Sequence, residues 1–295
     1  MKEGAQLYES LLNECEACLE RARVGEPFSV STLGSLTTRL VRTIDSEWEA
    51  LLPLWMRSSP VFSIALHGVN VAILSARVGR ELELKPVRLA DLALAGLLND
   101  IGMVTLMDLA ESPSVLGASQ LARLREHPWV GHRLLERCSD VPASVREIVL
   151  QEHERIDGSG YPQRLSGDSV GPDAQLIGLL DLYEALTHDR PHRRALIPAE
   201  AMRTVIQDHR AAFRDELLRG LLRSVPIFPP ESWVQLSSGE IGKIVSLSAS
   251  NPLGPVVRIE TLPDGSPASR PEILDLSSDR ARTIVRAVRQ PLAMR

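Results

Sequence analysis

The stretch LAGLLNDIGMV, residues 94–104, constrains the fold more than any other part of the chain. Leu94, Leu97 and Leu98 mark a buried helix, yet that helix runs into Asn99 and Asp100, and Gly102 reads as its end. A carboxylate among apolar neighbours is costly unless it is paired, hydrogen-bonded or bound to a cation. The pair is therefore a cap, a buried hydrogen-bonding knot or part of a site, and the fold must supply its partners.

The same conflict recurs along the chain. In FSIALHGVNVAILSARVG, His67 shares a helical face with Val71, Leu74 and Val78; in LADLALAGLLND, Asp100 continues the stripe Leu89, Leu92, Ala93 and Gly96. His127 lies in line with Leu124, Gly131 and Leu134, and Glu152 and His153 extend Val145, Ile148 and Val149. Asp181 falls beside Ile177, Leu180 and Glu184. These are i, i+3, i+4 placements, so each polar side chain points where its apolar neighbours point. Singly, each has an ordinary reading. A histidine on an apolar face is usually a satisfied core residue, Asp100 can bond locally, and Glu152 or Asp181 can pair with a buried arginine. Segment after segment directing Asp, Glu or His inward is harder to satisfy without a shared partner. A metal or phosphate site answers that need, and mixed imidazole and carboxylate donors suit Fe, Mn, Zn or Ni.

Bulk properties narrow the classes. The 295 residues are 44% hydrophobic and 24% charged, enough for one large domain or two smaller ones. A net charge of −5 gives no case for nucleic acid or an anionic membrane. No apolar run approaches the roughly 18–20 residues of a membrane span, and MKEGAQLYES lacks a signal-peptide core. Three cysteines make no disulfide framework, so a cytoplasmic location is expected. Cys15 and Cys18, with no second pair, read as small helix residues.

Residues 5–57 read as helices, with Ser31 as an N-cap. Helical periodicity then dominates to about Arg223, broken by the Gly- and Pro-rich DGSGYPQRLSGDSVGPD. Beyond PIFPP come short β-type runs, WVQLS, IGKIVSLS, PVVRIE and EILDLS, with turns at Ser238-Gly239 and Asp264-Gly265. The expected architecture is mostly α with a small C-terminal antiparallel β module. Its parts are a helical N-terminal region (1–58), a helical domain (59–225), and the β module (226–295) closed by a helix over RARTIVRAV.

Five segments carry a resemblance: HGVNV from His67, NDIG from Asn99, HPWVG from His127, EHERIDGSGYP from Glu152 and DLYEALTHDRP from Asp181. In this order and spacing they resemble the HD-GYP domain, a subgroup of the HD superfamily of metal-dependent phosphohydrolases. The resemblance implies an HD-superfamily helical domain, hydrolysis of cyclic di-GMP and a centre of two divalent ions, iron, manganese or similar. His67, Asp100 and Asp181 would face one ion. Asp100, His127 and His153 would face the other, with Asp100 bridging them as the catalytic carboxylate. Arg190 and Arg193 match basic positions that pair with nucleotide phosphates. The loop of Gly160, Tyr161 and Pro162 is linked in the family to recognition of a signalling protein. Without the resemblance, these residues set a turn with Tyr161 as a packed anchor.

The chain also departs from the pattern. Asn99 stands for the defining histidine and offers a weaker, uncharged donor. Glu152 replaces the first of two consecutive histidines and favours harder ions. Met103 stands where a lysine usually holds phosphate, and Ser63 where some members place a further metal-binding glutamate. The departures imply a degenerate member with one ion or partial occupancy. Such a member would bind cyclic di-GMP, a related cyclic dinucleotide or a partner protein, with weak or no hydrolysis. The alternatives are an active phosphodiesterase with altered metal preference and an interaction protein with a vestigial pocket.

Overall fold

The computed structural model describes residues 3–56, 63–112, 114–191, 193–248 and 254–288. They form two compact units. One runs to Ala195 and adds Val205–Ser224; the other is Leu196–Thr204 with the chain from Val225 onward.

The first unit is helical: α1 (Glu3–Val24), α2 (Ser31–Trp55), α3 (Ile64–Glu81), α4 (Pro86–Leu98), α5 (Met107–Ala110), α6 (Ala118–Leu124), α7 (His127–Glu136), α8 (Ala143–Gln151) and α9 (Pro172–Thr187). After α10 (Pro198–Asp208), which begins in the second unit, α11 (Asp215–Ser224) completes it. The sequence of α3 explains its place. Ile64 to Ala76 carries no acidic residue and no Lys or Arg, and a helix apolar all round is buried. Accordingly α3 packs against α1, α2, α4, α9 and α11. Ser63 caps it, its side chain accepting from Leu66 N at 3.2 Å, which is the role of the residue that stands for a glutamate in some relatives. Leu7, Leu11, Leu33, Leu40 and Ile44 of α1 and α2 have no exposed surface, so the N-terminal helices share this core. Cys15 is buried there and donates to the Leu97 carbonyl at 3.5 Å.

The start of α2 differs from the sequence reading. Ser31 is already inside the helix, and Val30 occupies the cap position. The orphan donors are met instead by Ser29 Oγ, which accepts from Ser31 N, and by Asp140, whose carboxylate accepts from Val30 N at 2.8 Å and Ser29 Oγ at 2.6 Å. A cap delivered from residue 140 leaves no local signature.

The second unit holds a five-stranded antiparallel sheet: β1 (Trp233–Leu236), β2 (Ile241–Ser246), β3 (Val256–Thr261), β4 (Ile273–Asp275) and β5 (Ile284–Val288), in the order β4-β3-β2-β1-β5. Val234, Leu236, Ile244, Val257, Ile259, Leu274 and Leu276 alternate onto one face as its core. The helix expected over RARTIVRAV is absent. Ile284–Val288 is β5, which pairs Val288 with Trp233 and Arg286 with Gln235. Asp279 accepts from the backbone N–H of Ala281 and Arg282, so it mimics a helix N-cap in sequence. The β-branched Ile284 and Val285 then satisfy the open edge of β1.

Candidate metal centre

Backbone contact between distant segments assembles the site. A Cβ on Gly102 would lie 2.0 Å from the His127 carbonyl oxygen. Gly102 therefore does not end a helix by conformation, as the sequence reading had it. The last helical residue of α4 is Leu98, a 3-10 turn spans Ile101–Thr105, and Gly102 lets that turn touch the start of α7. Gly178 does the same between α9 and the end of α8, with its Cβ position 2.0 Å from the Glu152 carbonyl oxygen.

These contacts gather the side chains of the inward stripes. Asp100 Oδ2 lies 3.5 Å from His67 Nε2, and Asp100 Oδ1 lies 3.4 Å from His127 Nε2. His67 Nε2 is also 3.0 Å from Asp181 Oδ1. On the other side, His127 Nε2 is 3.5 Å from Glu152 Oε1 and 3.0 Å from His153 Nε2. Two donor groups result, His67–Asp100–Asp181 and Asp100–His127–Glu152–His153, and within each the candidate ligand atoms lie within 4.8 Å of one another.

The chemistry of these donors fits divalent cations. Both carboxylate oxygens of fully buried Glu152, and His67 Nε2, make no well-formed hydrogen bond, although other candidate ligand atoms crowd around them. Groups so placed are expensive to bury without a partner. Burial, with the Asp100 charge nearby, pushes the Glu152 carboxyl up to about 7 despite His127 beside it. Burial and neighbouring His127 hold His153 well below the usual imidazole range, so it is neutral, the form that ligates. His67 goes the other way: burial lowers its pKa, but the Glu184 carboxylate and Asp181 overcome this and raise it to about 10. Asp100, Glu152 and Asp181 crowd their carboxylates together here, an arrangement that a cation would relieve.

The remaining sequence candidates fall as follows. Asn99 is fully buried, and neither amide atom has a hydrogen-bond partner. Met103 is buried in the 3-10 turn. Arg190 lies against the site, with Nη2 3.1 Å from His67 Nδ1 and 3.3 Å from Glu184 Oε2. Arg193 is committed elsewhere: it donates to the carbonyls of Ala185, Leu186 and Arg194, closing the end of α9. A guanidinium so placed satisfies helix-terminal carbonyls.

Gly160 allows Tyr161 to fold over the cluster, since a Cβ there would sit 2.5 Å from Glu154 Cα and the His153 carbonyl. The Tyr161 ring stacks on His153 with centroids 4.7 Å apart and meets His127 edge-on at 6.2 Å. Arg125 lies over the same ring at 5.4 Å. The ring thus packs against the cluster, and Pro162 follows it. Glu154 fixes the loop: fully buried, it accepts from Gln163 N at 2.6 Å and Leu165 N at 2.9 Å. Sequence reasoning missed Glu154, Glu184, Asn70 and His188, all buried polar residues around the site. The signal for Glu184 was its place on the Asp181 stripe.

A helical bundle that points imidazoles and carboxylates from successive segments into one buried cluster defines the HD class of fold. The comparisons agree: residues 31–215 match the HD domain family, and residues 233–291 match the KOW domain associated with the HD domain. The chain belongs to the HD domain family, as a member of its HD-GYP group. It is 30% identical over 239 residues to a cyclic di-GMP phosphodiesterase of Pseudomonas aeruginosa, covering 81% of this chain and 58% of that protein. It is 25% identical over 193 residues to a cyclic di-GMP phosphodiesterase of Borreliella burgdorferi, covering 65% of this chain and 51% of that one. It thus spans little more than half the length of these curated relatives. An HD-GYP-type protein from Bdellovibrio bacteriovorus shares the fold with a TM-score of 0.62 at 23% identity, covering 73% of this chain and 69% of that one. Among the described residues, no helix is long and apolar enough to cross a membrane.

Proposed function

We propose that this protein acts in cyclic di-GMP signalling, binding a cyclic dinucleotide at a metal-bearing cleft and hydrolysing it slowly or not at all. The observation that carries the reading is the pair of donor groups sharing Asp100. His67 and Asp181 would hold one divalent ion, His127, Glu152 and His153 the other, and Asp100 both. Such ions supply Lewis acidity toward a phosphodiester and lower the pKa of bound water. The chain's own residues supply less. Asn99 offers an amide where an imidazole is expected. Met103 brings no charge to the phosphate. Arg193 is held by carbonyls, while Arg190 is a cation beside His67. Tyr161, packed on His153 and His127, borders the site.

The second reading, an active phosphodiesterase with altered metal preference, is favoured by Glu152, which occupies a donor position in the four-residue group. One experiment separates them. Protein loaded with manganese or iron is assayed for cyclic di-GMP binding by calorimetry and for turnover by product chromatography. Binding with turnover at least about a thousandfold below that of intact relatives supports the first reading, two missing electrostatic groups amounting to roughly 4 kcal/mol of barrier. Ordinary turnover that Asp100→Ala abolishes establishes the second.

A further inference from the structure

His67 and His127 differ in what holds the outer ring nitrogen. His127 Nδ1 lies 2.7 Å from the Leu124 carbonyl, a neutral partner. His67 Nδ1 meets the carboxylate of Glu184, and its Nε2 has no hydrogen-bond partner. Glu184 is fixed in turn. Its Oε1 accepts from Asn70 Nδ2 at 3.0 Å and lies 3.1 Å from His188 Nδ1, while Arg190 Nη2 donates to Oε2 at 3.3 Å. The chain of contacts continues outward. His188 Nε2 reaches the Trp55 carbonyl at 2.9 Å, and the Tyr8 hydroxyl lies 3.4 Å from Asn70 Oδ1. Asn70, Glu184 and His188 are all buried.

We infer that Glu184 is the positioning residue for the His67 side of the metal centre, with Asn70 and His188 locking its carboxylate. The inference rests on the metal-centre reading. A carboxylate on Nδ1 keeps a proton there, so an ion that displaces the proton from Nε2 would meet a stronger donor aimed toward Asp100 and Asp181. The uncharged Leu124 carbonyl orients His127 without that electrostatic gain. The asymmetry has a use. The His67 group has three donors against four on the other side, and Asn99 strengthens neither as an imidazole would. The side with fewer donors is the one given a charged support. Because Asn70 lies on α3 and His188 bonds the last turn of α2, the support is built from the helical core and not from a loop.

The test is a manganese titration of the full chain by calorimetry, with bound ion counted by electron paramagnetic resonance. Wild type, Glu184→Gln, Glu184→Asp and Asn70→Ala are compared. Two binding classes are expected in the wild type. Glu184→Gln weakens one class by about 10–100-fold, the range for loss of such supporting partners, and leaves the other unchanged. Asn70→Ala shifts the same class by less, and Glu184→Asp retains part of the affinity. Should Glu184→Gln not fold, Asn70→Ala and His188→Ala carry the comparison, since both leave Glu184 itself in place. Unchanged affinity in both classes overturns the inference, and so does equal loss from both. Wild-type protein that binds no manganese would instead remove the metal-centre reading beneath it.

Discussion

Asp100 turns one carboxylate oxygen to each half of the cluster, Oδ2 toward His67 at 3.5 Å and Oδ1 toward His127 at 3.4 Å. No neutral replacement serves both. Ions at 100 times their dissociation constant stabilise a folded protein by about 2.7 kcal/mol. That stabilisation is expected in the wild type and nearly absent in Asp100→Asn. Without metal the variant should be no less stable than the wild type, because Asp100 adds to the negative charge facing Glu152. Thermal unfolding with manganese and with a chelator checks both halves.

Bringing in the groups that the family pattern expects tests the proposed slow turnover. Asn99→His, Met103→Lys and Glu152→His together should raise cyclic di-GMP hydrolysis by about a thousandfold, the equivalent of roughly 4 kcal/mol. If nucleotide still binds and the rate does not move, the cleft has been reshaped for sensing.

Gly178→Ala forces a methyl to within 2.0 Å of the Glu152 carbonyl oxygen, and backbone cannot step aside cheaply. Overpacking of this kind costs about 1–3 kcal/mol. Urea denaturation should show that loss, with weaker metal binding because Asp181 and Glu152 are pushed apart. A variant of wild-type stability would mean that α9 slides freely against the end of α8.

Asp140 supplies a pH-dependent anchor for α2. Burial acts to raise its pKa, but the bonds from Ser29 and Val30 prevail and hold it below the usual carboxylate value. A depressed folded pKa stabilises the protein above the unfolded pKa of about 3.9 and loses that effect as pH falls through the folded value. Asp140→Ala should therefore cost about 1 kcal/mol near neutrality, the usual worth of a helix cap. In acid, below the folded pKa, the two proteins should converge. A difference that persists there would contradict the assignment.

Arg193→Ala should lower stability by about 1.5–3 kcal/mol, because it strips charged donors from carbonyls at the end of α9. Cyclic di-GMP affinity should change little. Arg190→Ala should show the opposite balance, with the larger effect on nucleotide binding. Calorimetry beside thermal melts distinguishes the two arginines.

Much of the helical core could be read from the sequence because burial leaves a period. His67, Asp100, His127, Glu152, His153 and Asp181 each interrupt an apolar stripe, and such an interruption is visible without coordinates. What the stripe cannot show is the partner across the fold. Glu184 meets His67 117 positions away, and Asp140 reaches Val30 across 110. The same limit hid β5. Ile284–Val288 follows an aspartate that looks like a helix cap, and only the free edge of β1 makes it a strand. The carbonyls that Arg193 meets at the end of α9 were equally invisible, because a guanidinium that closes a helix and one that binds phosphate look alike in one dimension.

The backbone contacts at Gly102 and Gly178 also bear on when the cleft comes into existence. Asp181 reaches the cluster only on α9, after every other donor has been synthesised, and the Gly178 contact requires α8 and α9 to be docked. Contacts between distant segments form late, once loop-closure entropy has been overcome. A growing chain that has emerged as far as His153 holds most of the donors and no finished cleft. Any ion taken up would therefore meet its full set of donors only on the folded chain.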